Sequence, residues 1–423
     1  QLAWLGVLDS LIKLDRKTNA NKNENDKFIQ CLYQLQNKWQ INNNSILETS
    51  FYYTFLKGNY DFDLNNFLGI PSTSELYNYA FLSHLTGFYS NYVFSKKNIN
   101  FTGGIHSNTY TRRHTGSEKT LGELYTNTGK KNEVSFFAKI NYCIKGITIF
   151  SDLQYRYTSF KYNGNIALNK QSWHFINPKL GISYKFKRNN YVYYSAGLTG
   201  KEPTRNDIFG GNDNLLADSL DNAIIFINSP EYVINQEIGF RHHSKKLNVD
   251  VNIYHLKFKN EIVLNGKFGP NGLALTNNVD RSFRMGLEWT IHYKVCKYFS
   301  IENNSSFNYS KIKEMNIKFT PILTPNIIIN QSFTYTYKGF SMSLSGRYQS
   351  KSYIDFSNAN ILKGYFLLNS SIQYEIKGFQ LTFNLNNLTN TKYFNNGYVD
   401  VDGSNKYFVQ APINFYLGIK YNF

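Results

Sequence analysis

One feature limits what this chain can fold into more than any other: its connections are short and long by strict turns. The final segment shows the unit being connected. Phe415, Leu417, Ile419, Tyr421 and Phe423 share one parity, and Tyr416, Gly418, Lys420 and Asn422 share the other. Successive side chains of a strand point to opposite sides, so a period of two is the pattern of a strand with two unlike faces. Further back, Leu287, Trp289, Ile291, Tyr293 and Val295 alternate with Glu288, Thr290, His292 and Lys294. Roughly seventeen such segments run from 26–39 to 408–423, each near or above the ~9–11 residues a tilted strand needs to cross a bilayer.

Short connections fall at Lys96–Lys97, Lys145–Gly146, Lys187–Asn190, Lys245–Lys246, Lys338–Gly339 and Lys377–Gly378. Long ones span about 57–77, 113–131, 161–173, 203–230, 265–281, 312–323, 353–363 and 390–407. A barrel in an outer membrane has short turns at its periplasmic rim and longer loops outside. A soluble sandwich or propeller has no reason to keep that parity. Composition agrees: 34 Tyr and 34 Phe sit beside a hydrophobic content of only 42%, and mean hydropathy is -0.43. A wall with an apolar outer face and a polar lumen averages to such values. No apolar run approaches the ~20 residues of a membrane helix. The expected fold is therefore all-β, a transmembrane antiparallel barrel.

The net charge is +17, but many of the lysines sit in short turns such as Ser95–Asn98 and Lys187–Asn190, and no Lys/Arg block resembles a nucleic-acid-binding arm. Cys31, Cys143 and Cys296 are odd in number and widely spaced, which gives neither a disulfide framework nor a metal site. No phosphate loop, His-Glu-x-x-His or Gly-x-Ser-x-Gly occurs, so no enzyme activity and no cofactor are expected. Parity puts Phe423 on the short-turn rim, hence a periplasmic C-terminus, and makes residues 1–25 the tail of an extracellular loop. An odd strand count cannot begin and end on one side. Residues 1–423 are thus expected to be one incomplete barrel domain, with its strands in 26–423.

Several motifs carry a family resemblance. They are Gly200-Lys201-Glu202-Pro203-Thr204-Arg205-Asn206-Asp207, Glu231–Phe240, Asn277-Asn278-Val279-Asp280 leading into Gly286–Trp289, Asn386–Tyr393, and Gln410–Phe415 running to Phe423. In this order they resemble the C-terminal part of TonB-dependent outer-membrane receptors, particularly of the Bacteroidetes type. The resemblance implies a 22-stranded barrel plugged by an N-terminal domain, with five strands and the plug preceding the 17 seen here. It also implies capture of a scarce ligand, most commonly a ferric siderophore, and import driven by a TonB–ExbB–ExbD complex. Haem, cobalamin or oligosaccharide cargo, a passive porin and a surface adhesin stay open. The implied partners are that complex, the barrel-assembly machinery, outer-membrane lipids and an iron chelate. Phe423 would be the terminal aromatic read at assembly.

Polar and aromatic groups on the long loops and upper lumen are the candidates for holding ligand: Arg112, Arg113 and His114; Lys201, Arg205 and Asn206; Tyr353; Tyr393 with Phe394. Arginine and tyrosine suit aromatic, anionic chelates through charge and stacking. Alternation places Arg156, Glu237, Arg241, Glu288 and Arg347 on the lumen face, where they would bridge strands or meet a plug. His242 and His243 are adjacent on a strand and so face opposite sides, which argues against a metal pair.

Overall fold

The computed structural model describes residues 5–20, 24–67, 70–71, 73, 75–269, 273–314, 317–400 and 402–421. Seventeen strands of eight residues or more form the wall. They are β1 (Asp26–Asn42), β2 (Ser45–Phe62), β3 (Tyr77–Lys96), β4 (Ile99–Glu118), β5 (Gly122–Ile144), β6 (Ile147–Asn163), β7 (Gln171–Phe186), β8 (Asn190–Lys201) and β9 (Glu231–His243). β10 (Leu247–Phe268), β11 (Ala274–Lys294), β12 (Phe299–Glu314), β13 (Ile327–Tyr337), β14 (Phe340–Gln349), β15 (Tyr365–Ile376), β16 (Phe379–Asn386) and β17 (Asn414–Tyr421) complete it. Each pairs antiparallel with its neighbour in sequence, as in β2–β3 and β10–β11, and the sheet curls into a barrel wall. Among the described residues no pair joins β1 to β17, and both strands are exposed along most of their length on both faces. Phe423 lies outside the described residues.

The short turns follow from backbone chemistry. Lys145-Gly146, Lys338-Gly339 and Lys377-Gly378 have φ values of 47° and 83°, 44° and 81°, and 47° and 81°. Two consecutive positive φ angles define the two-residue turn whose twist matches a hairpin, and glycine suits its second position. At the other rim the strands run well past the bilayer. β4 and β5 stay paired through Thr115–Thr126 and on to Glu118–Gly122, so the loop expected over 113–131 is mostly hairpin. The one expected over 265–281 is likewise hairpin, with β10 reaching Phe268 and β11 starting at Ala274. Alternation fails to mark these extensions because above the membrane both faces meet water and polar residues occupy both parities.

The outer face is an apolar belt. Ile149, Leu153 and Tyr155 on β6, Ile176, Leu180 and Ile182 on β7, and Ile234 and Ile238 on β9 are all at least 40% exposed. An open apolar surface of this extent is a surface for lipid rather than water. Arg156, Glu237, Arg241, Glu288 and Arg347 have the opposite parity and face the lumen, as expected. There Arg156 bridges strands to Glu133 at 3.2 Å and Arg241 meets Asp250 at 3.3 Å. Arg347 donates to Asn330 at 3.1 Å and to Gln349 at 3.2 Å, and Glu237 accepts from Asn235 at 2.8 Å. Glu288 lies in register with Asn252 and Ser306.

On the long-loop rim, Val7–Leu8 pairs with Asn405–Val409, whose other neighbour is Phe394–Val399. Arg16 lies 5.6 Å from the Phe394 ring and donates to the Gln410 carbonyl at 3.4 Å. Residues 5–20 therefore fold against the last long loop. No helix among the described residues is long and apolar enough to cross a membrane.

The Lys338-Gly339 turn gives a direct test. A Cβ at Gly339 would lie 2.6 Å from the Glu375 carbonyl oxygen in a left-handed backbone. Gly339→Ala is expected to destabilise the refolded barrel by about 1–2 kcal/mol, measured as a lower urea midpoint in detergent; an unchanged midpoint would contradict the turn assignment.

Candidate ligand-binding site

The longest connection, 202–230, does not stand out into solvent but folds inward over the lumen. It begins with a buried charge. Glu202 leaves β8 and accepts Lys131 at 2.5 Å and Arg156 at 2.6 Å, and Arg156 also donates to the Gly200 carbonyl and stacks 4.8 Å from Phe175. Pro203 ends the strand, and Thr204 caps a single helical turn, Arg205–Ile208. Its side chain accepts from the Asp207 amide, while the Asp207 carboxylate accepts from the Thr204 amide at 2.7 Å. Asp207 is held from outside too, by Thr276 at 2.6 Å. Ile208, Phe209 and Leu215 then bury against Phe160 and Tyr162 on the lumen side of β6.

Asp213 is the centre of this arrangement. Its carboxylate accepts from Tyr125 at 2.7 Å, from His114 at 2.9 Å and from Arg205 at 3.3 Å. Its carbonyl accepts from Arg205 and from Asn127, the latter at 3.1 Å. Asn214 is gripped by Tyr162 at 2.6 Å. Burial pushes the Asp213 carboxyl up, but the His114 hydrogen bond and charge and the Arg205 guanidinium outweigh it and hold its pKa at about 2. Burial, against the pull of Asp213, lowers His114 from its ordinary 6.5. The neutral imidazole thus donates to an ionised carboxylate.

Beneath the loop lies a cavity of about 430 Å³. Tyr60, Tyr79, Phe81, Tyr110, Phe160 and Trp173 give it aromatic walls, and Arg112, His114, Lys131, Arg205 and Asn206 supply donors. Arg112 differs from the other cations. Its guanidinium stacks 4.2 Å from Phe81, and among the described residues it forms no ion pair; its Nε is buried without a partner. Lys131 and Arg205 are already matched to Glu202 and Asp213.

Of the nine residues expected to hold ligand, the structure brings Arg112, His114, Arg205 and Asn206 to this cavity. It does not bring the others. Arg113 points outward, because strand alternation turns it away from its neighbours, and it lies beside Phe55, Lys57 and Leu82. Lys201 is exposed and meets Glu231 at 3.6 Å. Tyr353 sits in the two-residue strand Ser352–Tyr353 of another loop. Tyr393 packs on Tyr365 at 4.5 Å and Phe394 on Tyr407 at 4.6 Å, both in the last loop cluster. Sequence reasoning missed Asp213, Tyr125, Glu202 and the aromatic lining, whose only signal was lumen parity on the strand ends. His242 and His243 face opposite ways, toward Asn190 and Asp250.

A family model described as TonB dependent receptor-like, beta-barrel, matches residues 4–388. The chain belongs to this family. TonB-dependent receptor barrels are outer-membrane proteins, and the family consists of receptors and transporters rather than enzymes. Among solved structures, this barrel is similar to the copper transporter OprC, with a TM-score of 0.80 at 13% identity over 96% of this chain and 67% of that one. It is similar to the ferric citrate transporter FecA in its unliganded form (0.78, 14%, 98% and 64%) and to the ferric yersiniabactin uptake receptor FyuA from Yersinia pestis (0.74, 14%, 94% and 62%). The chain thus spans about two thirds or less of the length of such receptors. At these identities the likeness shows the fold alone. No curated protein matches the sequence.

The electrostatics predict how the loop responds to pH. A histidine whose pKa is lowered in the folded state contributes stability that is complete above its unfolded value of 6.5. That contribution is lost as pH falls from there toward the lowered value. The contribution of Asp213 is complete above 3.8 and is lost only as pH falls from there through about 2. Amide-exchange protection of 205–226 is therefore expected to drop as pH is lowered through and below 6.5, and His114→Gln to flatten that step. Asp213→Ala, which strands the buried Arg205 charge, is expected to cost about 3–5 kcal/mol of loop docking at neutral pH.

Proposed function

We propose that this chain is the barrel of an outer-membrane receptor that captures an anionic, aromatic metal chelate and imports it with TonB-derived energy. A ferric siderophore is the first choice of cargo. The observation that carries this reading is the Arg112 guanidinium, unmatched by any carboxylate among the described residues, on an aromatic-walled cavity under an inward-folded loop. A cation without an ion-pair partner favours a ligand that brings negative charge, and ring faces favour one with planar groups. The iron-chelate receptors of the same fold support that choice.

In this reading the long loops face outward, the short turns and the C-terminus face the periplasm, and Phe423 is the aromatic read by the barrel-assembly machinery. The unpaired β1 and β17 edges are closed by further strands, since an open edge in hydrocarbon leaves backbone groups unsatisfied. Glu237, Arg241, Glu288 and Arg347 line the lumen where a plug would sit. A TonB–ExbB–ExbD complex would act on that plug.

Trp173 lines the cavity and supplies a probe. Titrating the purified full-length receptor with ferric catecholate and hydroxamate chelates is expected to quench its fluorescence. Arg112→Ala should weaken binding about 10-fold or more, while Arg113→Ala, on the outer face, should stay within about twofold. Equal losses in both variants would overturn the cavity assignment. Free passage of small sugars through the receptor in liposomes, with no chelate binding, would make it a porin.

A further inference from the structure

The outer face carries a ladder of cations that form no ion pair among the described residues. On β10, Lys259 shares the parity of the exposed Ile253. On β11, Arg281 shares that of Met285, and on β12, Lys313 shares that of Phe307 and Tyr309. Register sets Lys259 opposite Arg281, Arg281 opposite Lys313, and Lys313 opposite Lys318 in the short strand Ile317–Phe319. All four are exposed, and among the described residues none forms an ion pair. Asp280 precedes Arg281 and Glu314 follows Lys313 in the chain, and neither forms an ion pair among the described residues; Glu261 is buried on the other face, where Arg284 at 2.5 Å and Ser282 hold it.

Residues directly opposite across strands have Cβ atoms about 4.5–5.5 Å apart, and like charges there repel. Four in succession make a site that favours an anion spanning several of them. Its height says which kind. The ladder lies about a dozen residues above the short turns, just past the ~9–11 residues a tilted strand spends in hydrocarbon. Immediately below it, His255, Phe283 and Tyr309 form a chain of ring contacts at 6.5 and 5.8 Å, with Met285 in register between His255 and Tyr309, and below those lie Ile253, Leu287 and Phe307. Apolar belt, aromatic layer and cations thus succeed one another as acyl chains, interface and headgroups do. On another arc Lys57 and Arg113 flank Leu82 in register, so Arg113 also lies in an outward cationic layer.

We propose that the Lys259–Arg281–Lys313–Lys318 ladder binds the phosphate groups of outer-leaflet lipid. A dissolved anion on this open surface gains only screened attraction, whereas a lipid headgroup is held at the ladder's height at high local concentration. The inference rests on the orientation proposed above, with the long loops outside.

The test uses the full-length receptor, delipidated in detergent. Lipid A is expected to raise its Tm by about 5 °C. Dephosphorylated lipid A should give no rise, 0.5 M salt should erode the effect, and Lys259→Gln/Arg281→Gln/Lys313→Gln should abolish it. Equal shifts from both lipids, or a full shift in the variant, would overturn the proposal, as would a full shift from inorganic phosphate alone. If the variant fails to assemble, the two-lipid comparison on the unaltered receptor decides. Chelate binding by the variant should remain within about twofold of the unaltered protein, so failure of the lipid site and failure of the cavity reading are separable.

Discussion

A backbone in hydrocarbon must satisfy every N–H and C=O within the protein, and this requirement governs the rest of the structure. Neighbouring strands meet it by pairing in sequence order, which forces the polypeptide to reverse direction at alternating rims. The reversals inside the membrane's reach are tight, as the Lys-Gly turns with paired positive φ angles show. Once the wall exists, every strand has one lipid face and one lumen face. Lysine and arginine then fall where their parity places them: Arg112 inward against Phe81, Arg113 outward beside Lys57.

Above the membrane the constraint changes. Water can satisfy the backbone there, and side-chain chemistry decides the form of the loops. The 202–230 connection is drawn inward because Asp213 is buried and must be matched, and the wall supplies Tyr125, His114 and Asn127 to match it or its carbonyl. Phe160 and Tyr162 add apolar contact. Each of these partners comes from β4, β5 or β6, so the loop is tied to three successive strands. The cavity exists because the loop is held at that distance, and among the described residues Arg112 on β4 is its cation without a carboxylate partner.

Much of this was legible in the residues. The wall strands, their order and the lumen parity of Arg156, Glu237, Arg241, Glu288 and Arg347 all follow from a period of two. The cavity was half legible. Arg112, His114, Arg205 and Asn206 were recognised by residue type and position near loop starts, and Arg113 by the same reasoning was misplaced, since adjacency in sequence implies opposition in a strand. Asp213 carried no local signal: Gly210-Gly211-Asn212-Asp213 reads as a flexible turn, and its wall partners Tyr125 and Asn127 lie 88 and 86 positions away.

The sequence by itself determined what is periodic and local. Alternation follows from the geometry of a single strand, and turn parity from the thickness of the bilayer, so neither needs knowledge of distant partners. The tertiary structure alone decided which way the long connections fold, which charges are matched and which cation of the cavity, among the described residues, lacks a carboxylate partner. Those outcomes depend on pairings such as His114 with Asp213 and Lys131 with Glu202, brought together by register and burial across the barrel mouth. Electrostatic matching is a property of positions in space, and the linear order of residues does not contain it.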